Sequence, residues 1–147
     1  MTVLIRDHLL RGFAAGVLAG AVMAVIDQVS VFLGISTLAY SQWAAVYTLG
    51  YLPNNFLEGM VGHVGHLMFA GFNGLLFDWL VPHEKHAVIK GILWGLFIWF
   101  FANSASVLYK TELLLPKAVG TAMTDFLTAI IYGWVLAVSN GRWSKDA

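Results

Sequence analysis

Residues 10–33 read LRGFAAGVLAGAVMAVIDQVSVFL. Coiled at about 1.5 Å per residue, an apolar run of this length covers the roughly 30 Å of a bilayer's hydrocarbon core. Gly12, Gly16 and Gly20 mark one side of it with a repeated GxxxG spacing. Small residues so spaced let helix backbones approach closely in lipid, where burial of apolar surface does not drive association. Asp27 follows Gly20 by seven residues, about two turns, and returns to the glycine face. A carboxylate at the centre of a span costs roughly 3 kcal/mol on insertion scales, so Asp27 is expected to point into a helix interface. The run continues past Asp27 to Leu33, longer than a signal-peptide core, which favours a retained span despite Arg6 and Arg11 in front of it.

Working outward, three more segments have membrane-crossing length: 56–81, 88–109 and 117–139. Pro53-Asn54-Asn55 starts the second, Pro82-His83-Glu84-Lys85 separates it from the third, Pro116-Lys117 opens the fourth and Asn140-Gly141 ends it. Composition agrees. With 59% hydrophobic residues and a mean hydropathy of +0.76, a 147-residue chain has too little polar surface to coat a soluble globule. The expected fold is an all-α membrane protein, a four-transmembrane-helix bundle in a single integral membrane domain over 1–147. Eight basic and eight acidic residues cancel, leaving no net field for nucleic acid. The absence of cysteine excludes disulfides and thiolate metal sites.

Orientation follows from the side on which Lys and Arg fall. With four spans, Arg6, Arg11, Lys85, Lys90, Arg142 and Lys145 share a side, against Lys110 and Lys117 on the other. Both termini are therefore expected in the cytoplasm. The connection from Gly34 to Asn55, on the outer side, has no charge; in it Tyr40, Trp43, Tyr47 and Tyr51 recur at steps of three and four. That spacing predicts a short interfacial helix with its rings on one face. The first reading of those rings is an aromatic belt at the headgroups, and the alternative is a lid, or one wall of a groove for a lipophilic ligand.

The other spans also carry a small or polar stripe. On the second it is Gly59, Gly62, His63, His66, Ala70 and Asn73; on the fourth Thr121, Thr124, Asp125, Thr128 and Tyr132; on the third Asn103 and Ser106, with Gly91 and Gly95 lower down. Counting rise per residue puts Asp27, His63, His66, Asn103 and Asp125 near one level in the outer half, with Glu58 above them at the rim. If the stripes meet, these six residues form one polar site for a substrate or ion. Asp78, at the cytoplasmic end of the second span, is expected to pair with Lys85 or Lys90 or to reach water, and His8, His83 and His86 are expected to be solvated.

Three chemistries suit such a set. Carboxylates and imidazoles that change charge in a wet interior pass protons or cations. His63, His66, Asp27 and Asp125 offer nitrogen and oxygen ligands for a divalent metal such as zinc, manganese or iron, although neither Glu-x-x-His nor His-Glu-x-x-His occurs. The third is structural: Asp27 and Asp125 bond His, Asn103 or Thr partners and fix helix register. Ser30, Ser104 and Ser106 lack the context of a nucleophile elbow and no phosphate loop is present, which argues against an enzyme. A faint repeat pairs Asp27-Gln28-Val29-Ser30-Val31 with Asn103-Ser104-Ala105-Ser106-Val107.

Arg11-Gly12-x-x-x-Gly16, His66 in a Gly-rich second span and Lys90-Gly91-x-x-x-Gly95 together resemble the small four-helix bacterial inner-membrane proteins of the YagU-like and YqhR-like kinds. The resemblance implies topology and a bacterial cytoplasmic membrane, and assigns no catalytic residue. The functional expectation is a small polytopic protein that translocates a proton or cation at an outer-half polar site, as a homo-oligomer. The alternatives are a non-catalytic subunit or scaffold of a larger membrane complex, and a metal-binding membrane enzyme.

Overall fold

The structure, a computed structural model, describes residues 7–81, 85–115 and 117–145. The chain forms α1 (His8–Phe32), α2 (Tyr40–Leu49), α3 (Phe56–Leu80), α4 (Ala87–Leu108), one 3-10 turn (Glu112–Leu114) and α5 (Val119–Lys145). Helices α1, α3, α4 and α5 are long and apolar enough to cross a membrane, and no strand occurs among the described residues.

Local chemistry sets the ends. The Asp7 carboxylate accepts from the Leu9 amide at 2.8 Å and caps α1, and Asn55 accepts from the Glu58 amide at 3.0 Å at the start of α3. Gly50, at φ 83°, closes α2 in the left-handed conformation that a Cβ disfavours. Helix α5 departs from expectation at both ends. Lys117 precedes it, outside any helix, and the helix runs on past Asn140-Gly141 to Lys145. Asn140 is 1% exposed and spends its amide on helices α1 and α3, which holds that turn in register; Gly141 has open space around it and nothing to break the helix.

Around the bundle the order is α3, α1, α5, α4, with α2 laid on α3. Two joints are closed by glycine. A Cβ on Gly16 would overlap the Ala70 carbonyl and lie 2.9 Å from the Gly74 Cα, and Gly133 meets the Gly91 carbonyl in the same way across α5 and α4. Ala15, Ala19, Met23, Ala70, Phe77, Tyr132, Leu136 and Ala137 fill the centre. Tyr132 donates to the Ala70 carbonyl at 2.7 Å and Ser30 bonds Thr124 at 2.8 Å. Helix-to-helix bonds of this kind average about 0.6 kcal/mol in membrane proteins. Phe32, Phe56, Leu57 and Leu108 lie on the outside, an apolar surface of the kind that suits lipid.

The ring of helices is not closed. The Phe77 and Trp94 rings stand 6.0 Å apart, but α3 and α4 are not packed along their lengths, and a groove separates them nearer α2. At the end that carries the termini, Arg11 reaches the Asp78 carboxylate at 3.4 Å and the Asn140 carbonyl at 3.0 Å, and the Asn140 amide donates to Asp78 at 2.7 Å. Both charged side chains are buried, at 3% and 2% exposure. Asp78 is thus joined to Arg11, a partner that the sequence presents only as a topology charge.

Candidate functional site

The connection between α1 and α3 folds back onto the bundle and builds a polar cluster there. Asp27, buried near the end of α1, accepts the Tyr40 backbone amide at 2.5 Å, which ties the start of α2 to α1. Its other oxygen, Oδ1, is enclosed and has no hydrogen-bond partner among the described residues. On α5, Asp125 forms an ion pair with Lys117, whose ammonium also donates to Asn103 on α4 at 2.8 Å and lies 3.8 Å from the centroid of the Trp43 ring. Tyr40 donates to the Asp125 carbonyl at 3.1 Å.

Lys117 interacts electrostatically with both carboxylates. Burial pulls its ammonium below the usual lysine range, and the bonded Asp125 opposes that shift. Burial also raises the Tyr40 phenol well above the usual tyrosine range, with Asp125 and Asp27 adding to the effect, so at neutral pH Tyr40 is a donor. Two carboxylates face one ammonium.

Beside this cluster lies a cavity of about 610 Å³, roofed by α2 and walled by α3 and α4, within the 300–1,000 Å³ range of small-molecule sites. Aromatic rings from all three helices line it, among them Trp43, Tyr47, Phe69, Phe97, Trp99 and Phe101. Its polar edge is Tyr40, His66 and Asn73. Tyr40 and His66 stack with centroids 5.7 Å apart and planes 24° apart, and His66 Nε2 lies 3.2 Å from the Gly20 carbonyl. Tyr47 on α2 bonds Ser106 on α4 at 2.7 Å across the groove.

Asp27, Asn103 and Asp125 are therefore gathered around Lys117, and His66 joins them through the Tyr40 ring. His63 and Glu58 lie elsewhere. His63 is exposed, because the buried stripe of α3 runs through Gly62, His66, Ala70, Gly74 and Phe77, and a step of three residues turns His63 about 60° away from His66. Glu58 belongs to the helix cap, where it accepts from the Asn54 amide, the Asn55 side chain and the Tyr51 phenol. His8 and His86 are exposed as expected, and His83 falls outside the described residues.

Tyr40 and Trp43 stand out in the sequence only as an aromatic face, with a groove wall as its second reading, and Lys117 does not stand out as a site residue at all. The one signal for Lys117 is its position, the basic residue nearest in sequence to Asp125. The rings of α2 face the bundle, with Trp43 only 5% exposed, so they form the wall of a groove and not a belt alone. Among the described residues no three His, Asp or Glu side chains approach closely enough to hold a metal ion. The donor set expected from sequence is split by the outward turn of His63, and an ammonium already serves Asp125. Compared with protein families, with curated proteins and with solved structures, the chain matches none.

Proposed function

We propose that this is a multi-pass protein of a bacterial cytoplasmic membrane, with both termini in the cytoplasm, that binds an uncharged lipophilic molecule entering sideways between α3 and α4. The observation that carries the reading is the 610 Å³ cavity, set where the helix ring is open and next to the buried Asp27, Lys117 and Asp125 cluster. No Asp, Glu, Lys or Arg lines it, which suits a ligand without charge.

A diazirine-bearing hexadecanol, photolysed with the protein in nanodiscs, tests this. Adducts should concentrate on 40–49, on the Gly65–Asn73 turns of α3 and on Phe97–Tyr109, and Ala105→Phe, which fills the groove, should remove them. Even labelling of all lipid-facing helices, unchanged by Ala105→Phe, overturns the proposal. So does a second copy of the chain found crosslinked across the α3–α4 gap with no probe bound. Because the chain has no cysteine, single cysteines at Ser144 and Thr111 report orientation by labelling from opposite sides of intact cells.

A second reading, proton or cation translocation, draws support from one atom. Asp27 Oδ1 is enclosed and unpartnered beside a site in which two acids share one ammonium, and such an oxygen is a place for a proton. Proton flux into dye-loaded proteoliposomes, lost in Asp27→Asn with assembly retained, supports this reading; wild-type flux equal to that of empty liposomes rejects it.

A further inference from the structure

On the reading that the groove holds a lipophile, we infer that its ligand is a ring-headed hydroxyl donor of the hydroquinone class, held by its hydroxyl on His66 Nδ1, and that the corresponding quinone binds more weakly. The inference rests on which polar atoms of the groove still have capacity. Beside His66 the hydroxyl donors are used, while elsewhere on the lining Asn73 keeps one of its two amide N–H groups and Tyr109 its phenol proton. Tyr40 gives its hydroxyl proton to the Asp125 carbonyl, Thr48 gives its own to the Ala44 carbonyl, the Asn73 amide donates to the Phe69 carbonyl, and Tyr47 is bonded to Ser106. The indole N–H groups of Trp43 and Trp99 have no partner among the described residues, and both nitrogens are buried.

What remains at His66 is an acceptor. The atom facing His66 Nε2 is a backbone carbonyl, which only accepts, so Nε2 carries the ring proton. A neutral imidazole then leaves Nδ1 as a bare lone pair, and this atom has no hydrogen-bond partner among the described residues. Asn73, two turns farther along α3 on the same face, keeps both its Oδ1 and one N–H. A ligand that offers a hydroxyl proton matches Nδ1, where a carbonyl would place acceptor against acceptor; Asn73, with an oxygen and a free N–H, serves either form.

The ring follows from the walls. Tyr40 stacks on His66 at the polar edge, and Trp43, Phe69, Phe97 and Trp99 surround the remaining space. A planar head gains offset and edge contacts from such a lining that an alkyl chain does not. With no charged side chain on the wall, fatty acids and phospholipid heads pay desolvation without return.

Competition against the diazirine-bearing hexadecanol distinguishes the levels of this reading. Decyl-hydroquinone kept reduced, the oxidised decyl-quinone, dodecanol and laurate are titrated in quinone-free nanodiscs. The hydroquinone should displace the probe at concentrations about tenfold below the quinone, the scale of one hydrogen bond gained or lost, and below dodecanol or laurate. His66→Phe keeps a stacking ring and removes the acceptor, so it should bring the hydroquinone-to-quinone ratio close to one. Asn73→Leu, which removes a group able to serve both forms, and His63→Leu, on the exposed side of the same helix, should each leave the ratio near its wild-type value. Equal displacement by hydroquinone, quinone and dodecanol overturns the ligand class while the groove still binds lipophiles. Failure of all four to displace a probe that Ala105→Phe also fails to exclude removes the groove reading itself. The wild-type ratio decides the class even where His66→Phe does not fold.

Discussion

The ammonium of Lys117 is bonded to the carboxylate of Asp125, and both side chains are buried, at 9% and 2% exposure. A residue of the α4–α5 connection thereby reaches into the bundle and joins α4, α5 and the Trp43 ring of α2. Removing one partner of a buried pair strands a charge and typically costs about 3–5 kcal/mol, whereas removing both costs far less. Lys117→Met and Asp125→Asn should each lower the thermal midpoint in detergent sharply. The double variant should be more stable than the sum of the two losses predicts, and additive losses would show that the pair is not coupled.

Glycine positions divide by what surrounds them. Gly133 touches the Gly91 backbone, while Gly59 has nothing within 4 Å of where a Cβ would stand. Gly133→Ala must push α4 from α5 and is expected to destabilise. Gly59→Ala adds helix propensity at no steric cost and should be neutral or stabilising by up to about 1 kcal/mol. Thermal unfolding of the two variants side by side checks the helix pairing, because the reverse order is incompatible with it.

At the other end, Arg11 and Arg142 carry equal formal charge in unequal surroundings. Arg11 is buried against Asp78 and Asn140, and Arg142 is exposed. Arg11→Met leaves the Asp78 carboxylate enclosed without its guanidinium, a loss of several kcal/mol by the same reasoning, and Arg142→Met should fall within about 0.5 kcal/mol of wild type. Comparable losses in the two would remove Arg11 from the joint between α1, α3 and α5.

How far these features can be read from sequence depends on whether they are periodic. Gly12, Gly16, Gly20 and Asp27 declare a close-packed face because all four lie on one helix, and the structure puts the glycines on α3 and Asp27 against the start of α2. No such rule says which helix is met, so the contact of Gly16 with Ala70 and of Gly133 with Gly91 is not legible from either partner alone. His63 and His66 sit on one broad stripe by spacing, yet the actual interface is narrower than a stripe and takes only His66. Lys117 is hidden for a different reason. It lies outside any helix, and where a loop side chain points is decided by the chain's return path and by the unpaired acid waiting at Asp125. Asn140-Gly141 misleads in the opposite way, since a stop signal in solution-exposed sequence becomes an interhelical link once Arg11 and Asp78 stand beside it.

Tyr51 reports on the α2–α3 connection by titration. Its phenol lies 3.3 Å from the Glu58 carboxylate, and that negative charge opposes formation of a second, raising the Tyr51 pKa from its usual value of 10.0. Glu58→Gln removes the charge, so ionisation should move to lower pH. Tyrosinate absorbance with the Tyr51→Phe titration subtracted measures the shift, and movement to higher pH or none at all would separate the two residues.

Tyr47 gives the most direct view of the groove's mouth. Its hydroxyl bonds Ser106 and is the side-chain hydrogen bond that joins α2 to α4 among the described residues, while α2 packs closely on α3 and contributes Ala45 to the contact at Gly62. Tyr47→Phe removes about 1 kcal/mol of hydrogen bonding, and Ser106 keeps a partner in the Ala102 carbonyl, so global stability should hardly change. The effect should be local. Without the link, α2 stays on α3 but is freed from α4, and amide exchange over 40–49 should quicken while the Gly16–Gly74 and Gly91–Gly133 joints exchange as in wild type. Added decyl-hydroquinone should slow exchange over 40–49 again, because a ligand between α3 and α4 supplies the contact that the phenol lost; uniform quickening across all helices would instead mean that the bond supports the bundle as a whole.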